Sequence, residues 1–201
     1  MVESGTGTGS LSTSIARAIM PSGSLFTFEF NQNRKEKAEE DFIKTGLSKI
    51  ITATHRDVLE NGFLLEDKVK EESVDAVFLD LPRPEEAVKH AFQVLKHKGK
   101  LCNFSPCIEQ VQKASQEMAK LGFYDIRTFE SLSREMCNSN FQYKSIHDTE
   151  DQEDQKADKP KKGSEANRRK AKQFTKSLRP ATVQQSLMRG HTGYLTFAIK
   201  F

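Results

Sequence analysis

Along this chain the apolar positions change their period repeatedly, and each change marks an element. Leu11, Ile15, Ala16 and Ile19 recur at helical spacing, and Pro21-Ser22-Gly23 then stops the helix they predict. The run from Leu25 to Phe30 reads as a strand. Residues 34–44 are rich in helix formers and end near Gly46, after which 50–54 returns to strand composition. Val74 to Leu79 predicts a third strand, opening onto Asp80-Leu81-Pro82-Arg83-Pro84. A helix over 85–95 leads through Gly99 to a strand over 100–104, and a helix over 108–121 ends at Gly122. Two further strands, 123–129 and 193–199, are expected to pair as an antiparallel hairpin.

Strands alternating with helices of about ten residues predict an α/β domain, with a mainly parallel sheet and helices on both faces. Ligands of such folds sit at the carboxyl ends of the strands. The glycine turn at residues 5–9, Glu29, Asp57 and Asp80 all fall at or just after predicted strand ends, so they should gather along one edge. A turn of this kind normally follows a buried strand, yet only Met1 and Val2 stand before Glu3. The expectation is a start inside a larger protein, with a truncated first strand that leaves both neighbouring strand edges exposed.

A length of 201 residues suits one domain of ordinary size. The apolar share of 36% is low, but the deficit sits between Phe141 and Arg189. There an acidic block, His147 to Asp154, precedes a basic one, Lys159 to Lys172. Such composition buries too little surface to offset its ordering entropy. The predicted organisation is therefore a core over 1–140, a disordered charged insertion over 141–189, and a last strand of the same domain over 190–201. The three cysteines, Cys102, Cys107 and Cys137, lack metal-ligand spacing, so no metal site is expected and the thiols suit a reducing compartment. No apolar run reaches the roughly 18 residues a membrane helix needs. A net charge of +3 decides nothing about partners.

The chemistry begins in Glu3-Ser4-Gly5-Thr6-Gly7-Thr8-Gly9-Ser10. Gly5, Gly7 and Gly9 permit close approach of bare backbone to a cofactor, and a helix starting near Ser10 would aim free N–H groups at it. The bland alternative is a glycine-rich tail. The dinucleotide fingerprint needs glycine at position 10 or 12, where this chain has Ser10 and Ser12, and no Gly-Lys-Ser/Thr follows to make a phosphate loop. Glu29 lies about twenty residues further on, placed either to accept both hydroxyl hydrogens of a ribose or to stand as a solvated strand end. Asp57 is placed to accept from an adenine amino group with the Val58 N–H nearby, or it is an ordinary turn residue. Asp80, stiffened by Pro82 and Pro84, reads as a catalytic aspartate or as a helix cap ahead of Glu85.

Together these features resemble the class I, S-adenosylmethionine-dependent methyltransferase plan. The segments Glu3 to Gly9, Glu29-Phe30, Phe78 to Pro82, Phe104 to Gln112 and Gly190 to Ala198 resemble one family more narrowly, the catalytic subunits of eukaryotic tRNA (adenine-58-N1)-methyltransferase. The resemblance spans nearly the whole chain except the charged insertion. It implies a Rossmann-like fold, S-adenosyl-L-methionine as cofactor, and formation of N1-methyladenosine at position 58 in the T-loop of tRNA. It further implies a heterotetramer with a noncatalytic subunit, a nuclear location, and neither a metal nor a membrane. By that resemblance Thr8, Gly9, Ser10, Leu11, Glu29, Arg34, Asp57, Val58 and Asp80 contact the cofactor or sit at the reacting centre, with Asp80 catalytic.

The last strand and residues 123–135 are the expected subunit contacts. The Lys159 to Lys172 stretch serves as a nuclear import signal, a tRNA contact or a solvated loop. His191 and Tyr194 lie in the Gly190 to Ala198 segment, but a structural turn into a buried strand explains Gly190, Gly193 and Tyr194 just as well, and neither His191 nor Tyr194 is assigned a catalytic role. Two other readings stay open: an inactive truncated or scaffold form of the same complex, and, more distantly, an NAD-dependent oxidoreductase.

Overall fold

The computed structural model describes residues 1–131, 136–142, 178–184 and 193–201. Met1–Leu132 and Gly190–Phe201 form one compact unit, and Ser133–Arg189 forms another. The first unit holds seven strands: β1 (Val2–Ser4), β2 (Leu25–Glu29), β3 (Ile51–His55), β4 (Val74–Leu79), β5 (Leu95–Ser105), β6 (Phe123–Ser131) and β9 (Gly193–Lys200). They order as β3-β2-β1-β4-β5-β9-β6. The first five run parallel, and β9 lies antiparallel between β5 and β6. The predicted hairpin of the last two strands is therefore present.

Strand β1 is three residues long and sits at the centre of the sheet, with Val2 opposite Phe26 on one side and Val77 on the other. This corrects the expectation of two exposed edges, because at these residues both neighbours are paired.

Alternation sorts the side chains into two cores. Val2, Phe28, Val77, Leu79 and Leu101 pack with Ala87, Val88 and Ala91 of α4 (Pro84–Val94) and with Ala114 and Met118 of α5 (Ile108–Lys120). Leu25 and Ile51 point the other way, onto Ala16 of α1 (Ser10–Ile19) and onto Ala38 and Phe42 of α2 (Gln32–Lys44). Each fully buried Phe or Leu contributes about 1.5–3 kcal/mol by leaving water. Phe28 also meets Phe63 edge-on at 5.5 Å.

Three details differ from the expectation. Strand β5 begins at Leu95 rather than after Gly99, because a register shift between Val74 and Ala76 lets Leu95 pair early and Lys100 rejoin the ladder. A four-residue helix, α3 (Val58–Asn61), follows β3, too short for any periodicity to reveal. In the second unit, β7 (Met136–Gln142) and β8 (Leu178–Gln184) pair antiparallel, so part of the predicted disordered insertion is strand. Pro180 and Gly-free polar composition hid that strand from the hydrophobic pattern. The blocks from His147 to Asp154 and from Lys159 to Lys172 lie outside the described residues.

Buried Lys200 at the end of β9 is satisfied by structure. Its Nζ donates to the Leu95 carbonyl at 2.8 Å and to Glu72 at 3.0 Å, and it lies 4.5 Å from the Phe92 ring centroid.

Candidate active site

The glycine turn is stitched across the carboxyl ends of the central strands. Gly5 N–H donates to the Asp80 carbonyl at 3.2 Å, Thr6 N–H to the Phe28 carbonyl at 3.2 Å, and Asp80 N–H back to the Ser4 carbonyl at 2.5 Å. Beneath the turn lies a buried polar layer. Glu3 is fully buried and accepts from Ser12 Oγ at 2.5 Å, while Thr6 and Thr27 share a hydroxyl bond of 2.7 Å. Burial pushes the Glu3 carboxyl above its ordinary value, against the opposing bond from Ser12.

Above the turn opens a cleft of about 790 Å³, inside the range of roughly 300–1,000 Å³ usual for small-molecule sites. Gly5, Gly7, Glu29, Arg34, Asp57, Val58 and Asp80 all line it, so seven of the expected site residues meet in one place. Glu29 closes β2 and is held by backbone: its Oε2 accepts from Gly7 N–H at 2.9 Å and its Oε1 from Asn31 N–H at 3.1 Å. Each ionised oxygen keeps a further acceptor site for a ligand hydroxyl. Asp57 caps α3, with Oδ1 accepting from Leu59 N–H at 2.9 Å, and still faces the cleft. The turn reading and the cofactor reading of Asp57 are thus compatible.

Asp80 follows β4 directly. Partial removal from water raises its carboxyl above the ordinary value, although the residue stays open to the cleft.

Thr8, Gly9, Ser10 and Leu11 are not among the residues that line this cleft. Thr8, Ser10 and Leu11 are exposed, and Gly9 instead forms the N-cap of α1 with φ +73°. A Cβ there would meet Phe42 at 2.7 Å. The glycine is thus a packing requirement between the turn and α2. Gly9→Ala is expected to destabilise the protein by about 2–4 kcal/mol, combining left-handed strain with overpacking. Urea unfolding checks this, and a loss below about 0.5 kcal/mol would refute it.

Several cleft residues escaped the sequence reading. Arg56 Nη1 donates to the carbonyls of Asn61, Gly62 and Leu64 at 3.2, 3.3 and 2.7 Å, fixing the loop behind α3. Phe30 stands at the rim with 72% of its surface exposed. Phe104 and Gln110 also line the cleft, both within the quoted Phe104 to Gln112 segment, to which the sequence reading assigns no role. Among the described residues no cluster of three metal-ligating side chains exists.

Residues 1–200 match a family model described as tRNA methyltransferase complex GCD14 subunit. The chain belongs to this family. A tRNA (adenine(58)-N(1))-methyltransferase catalytic subunit from Dictyostelium discoideum is 43% identical over 210 residues, covering 98% of this chain and 64% of that protein. The Schizosaccharomyces pombe catalytic subunit of the same name is 41% identical over 138 residues, covering 65% of this chain and 36% of that protein. The chain thus spans less than two thirds of the length of these curated relatives. Among solved structures, a SAM-dependent O-methyltransferase from Thermotoga maritima superposes with a TM-score of 0.67 at 28% identity, covering 99% of this chain and 58% of that one. The tRNA (m1A58) methyltransferase TrmI from Aquifex aeolicus gives a TM-score of 0.65 at 20% identity, covering 100% and 61%, a likeness of fold. The sheet order and these likenesses make the fold a class I methyltransferase fold.

Proposed function

We propose that this chain is the catalytic subunit of a tRNA methyltransferase that forms N1-methyladenosine at position 58. The observation that carries the reading is the meeting of two carboxylates in one cleft: Glu29, set by Gly7, and Asp80, set by the end of β1. They divide the site into a half suited to a ribose and a half suited to a base.

The cleft fits S-adenosyl-L-methionine on its own residues. Glu29 would bind the ribose hydroxyls, Asp57 and the Val58 N–H would face the adenine, Phe30 would offer it an apolar surface, and Gly5 and Gly7 would leave room for the rest; all of these line the cleft, and all but Phe30 are expected from the sequence. When bound, this cofactor supplies an electrophilic methyl group. The N1 lone pair of adenine is free at neutral pH, so no base need first remove a proton. The protein's task is alignment. Asp80 accepts a hydrogen from the exocyclic amine of the target and stabilises the positive charge that the base acquires. A T-loop base is stacked, so it must be drawn out before its N1 edge is reachable, with phosphate contacts supplying the energy.

Those contacts are expected from an assembly. Strand β6 forms an edge of the sheet, and Phe129 and Phe197 pair on an exposed surface with ring centroids 5.8 Å apart. This supports docking of a noncatalytic subunit at β6 and β9, in a heterotetramer. The reading places the complex in the nucleus, with the Lys159 to Lys172 stretch as import signal.

The test is methyl transfer from labelled cofactor to an elongator tRNA transcript, using the full-length subunit co-purified with a noncatalytic partner. The expected product arrests reverse transcription at adenosine 58. A product at any other atom or position would sink the reading.

A further inference from the structure

Gln110 stands in the first turn of α5 and faces the same cleft as Asp80. Its Nε2 donates to the Pro82 carbonyl at 2.8 Å. That bond fixes the orientation of the amide, since a carbonyl only accepts and must face the NH2 end. The other end, Oε1, is then an acceptor, and it is buried without a hydrogen-bond partner among the described residues. A native structure rarely leaves such an oxygen empty, because burial strips its water and returns nothing.

The donor end has its own logic. Asp80 is anchored at its backbone, but the segment after it contains Pro82 and Pro84, neither of which has an N–H to brace the loop. The amide from the neighbouring helix supplies the brace. One side chain therefore holds the loop that carries Asp80 and keeps a spare acceptor on a residue that lines the same cleft.

We propose that Gln110 is a positioning and specificity-determining residue, which reads the exocyclic amine of the target base jointly with Asp80. This rests on the adenine reading above. An adenine amine has two hydrogens, so it can satisfy two acceptors at once. Asp80 takes one hydrogen and Gln110 Oε1 the other. Guanine or hypoxanthine would place a carbonyl oxygen against both acceptors and be repelled, which gives the site its choice of purine.

The experiment compares three variants of the full-length subunit, co-purified with the noncatalytic partner, on tRNA carrying either adenosine or purine riboside at position 58. Purine riboside keeps N1 and lacks the amine. Gln110→Lys retains a donor for Pro82 and removes the acceptor. Gln110→Glu retains acceptors and removes the brace, and Gln110→Leu removes both.

Gln110→Lys is expected to lower kcat on adenosine about tenfold and to leave kcat on purine riboside within about twofold of wild type. Gln110→Glu is expected to slow both substrates, and Gln110→Leu to be slowest on adenosine. KM for S-adenosylmethionine should stay within about twofold throughout. Equal losses on both substrates for Gln110→Lys would mark a purely structural residue and overturn the proposal, as would no loss on either or a matching rise in cofactor KM. A wild-type complex that methylates adenosine N1 while the variants match it overturns the Gln110 role alone. A wild-type complex that never touches N1 removes the adenine reading and this inference with it.

Discussion

Replacing Asp80 by asparagine is expected to slow methyl transfer by on the order of a hundredfold or more, while cofactor affinity changes only about threefold. The asymmetry follows from how the residue is held. Its backbone is pinned to the end of β1 through both the Asp80 N–H and the Asp80 carbonyl, so the amide variant keeps the loop where it is. An Asn oxygen still accepts from an amine. What disappears is the negative charge opposite the positive charge that forms on the base, and a preorganised charge of this kind outweighs an ordinary hydrogen bond.

The pH profile supplies a second check with a definite sign. Removal from water raises the Asp80 carboxyl above the ordinary carboxylate value of about 3.9. The ionised form is the active one, so the rate falls as pH drops through that raised value and is fully present above it. Single-turnover rates across pH should show this acid limb in the wild type and lose it in Asp80→Asn. An Asp80→Asn protein that binds cofactor and transfers methyl at normal speed would remove Asp80 from the chemistry.

Most of the sheet was legible because its strands are apolar runs bounded by Gly and Pro. Val74–Leu79 was read to the residue, and the glycine turn, Glu29 and Asp80 were placed together by strand-end logic alone. Local pattern failed where the cause is tertiary. Gly9 reads as part of a cofactor loop, and the sequence hides that its lack of a side chain is also required by Phe42, thirty-three positions away. Arg56 serves three carbonyls of a later loop, and nothing in its neighbours announces that. Gln110 gains meaning only when α5 lies beside the Pro82 carbonyl. Strand β8 pairs with a partner about forty residues away, and its polar sequence carries no period of its own. Buried Glu3 was seen as the head of a motif, but its contact with Ser12 depends on α1 folding back over β1.

Glu29→Ala is expected to weaken S-adenosylmethionine binding by roughly a hundredfold or more, leaving the rate at saturating cofactor within about threefold of wild type. The carboxylate is the only side chain in the cleft fixed by both the turn and the start of α2 among the described residues, through Gly7 N–H at 2.9 Å and Asn31 N–H at 3.1 Å. Two hydroxyl hydrogens of a ribose would complete its acceptor capacity, and hydrogen bonds to a charged group contribute about 1.5–3 kcal/mol each. Losing both costs about 3–6 kcal/mol of affinity, and the two backbone donors are left to water. Ground state and transition state share this contact, so KM rises and kcat does not fall in step. Glu29→Gln separates charge from shape. Both carboxylate oxygens accept from backbone N–H groups, so an amide must turn its NH2 toward one of them, and its binding should fall between wild type and Glu29→Ala. Calorimetric titration of the three proteins measures this directly. Cofactor affinity within about threefold of wild type in Glu29→Ala would show that the ribose is held elsewhere, and an equal fall in kcat would move Glu29 from binding to the reacting centre.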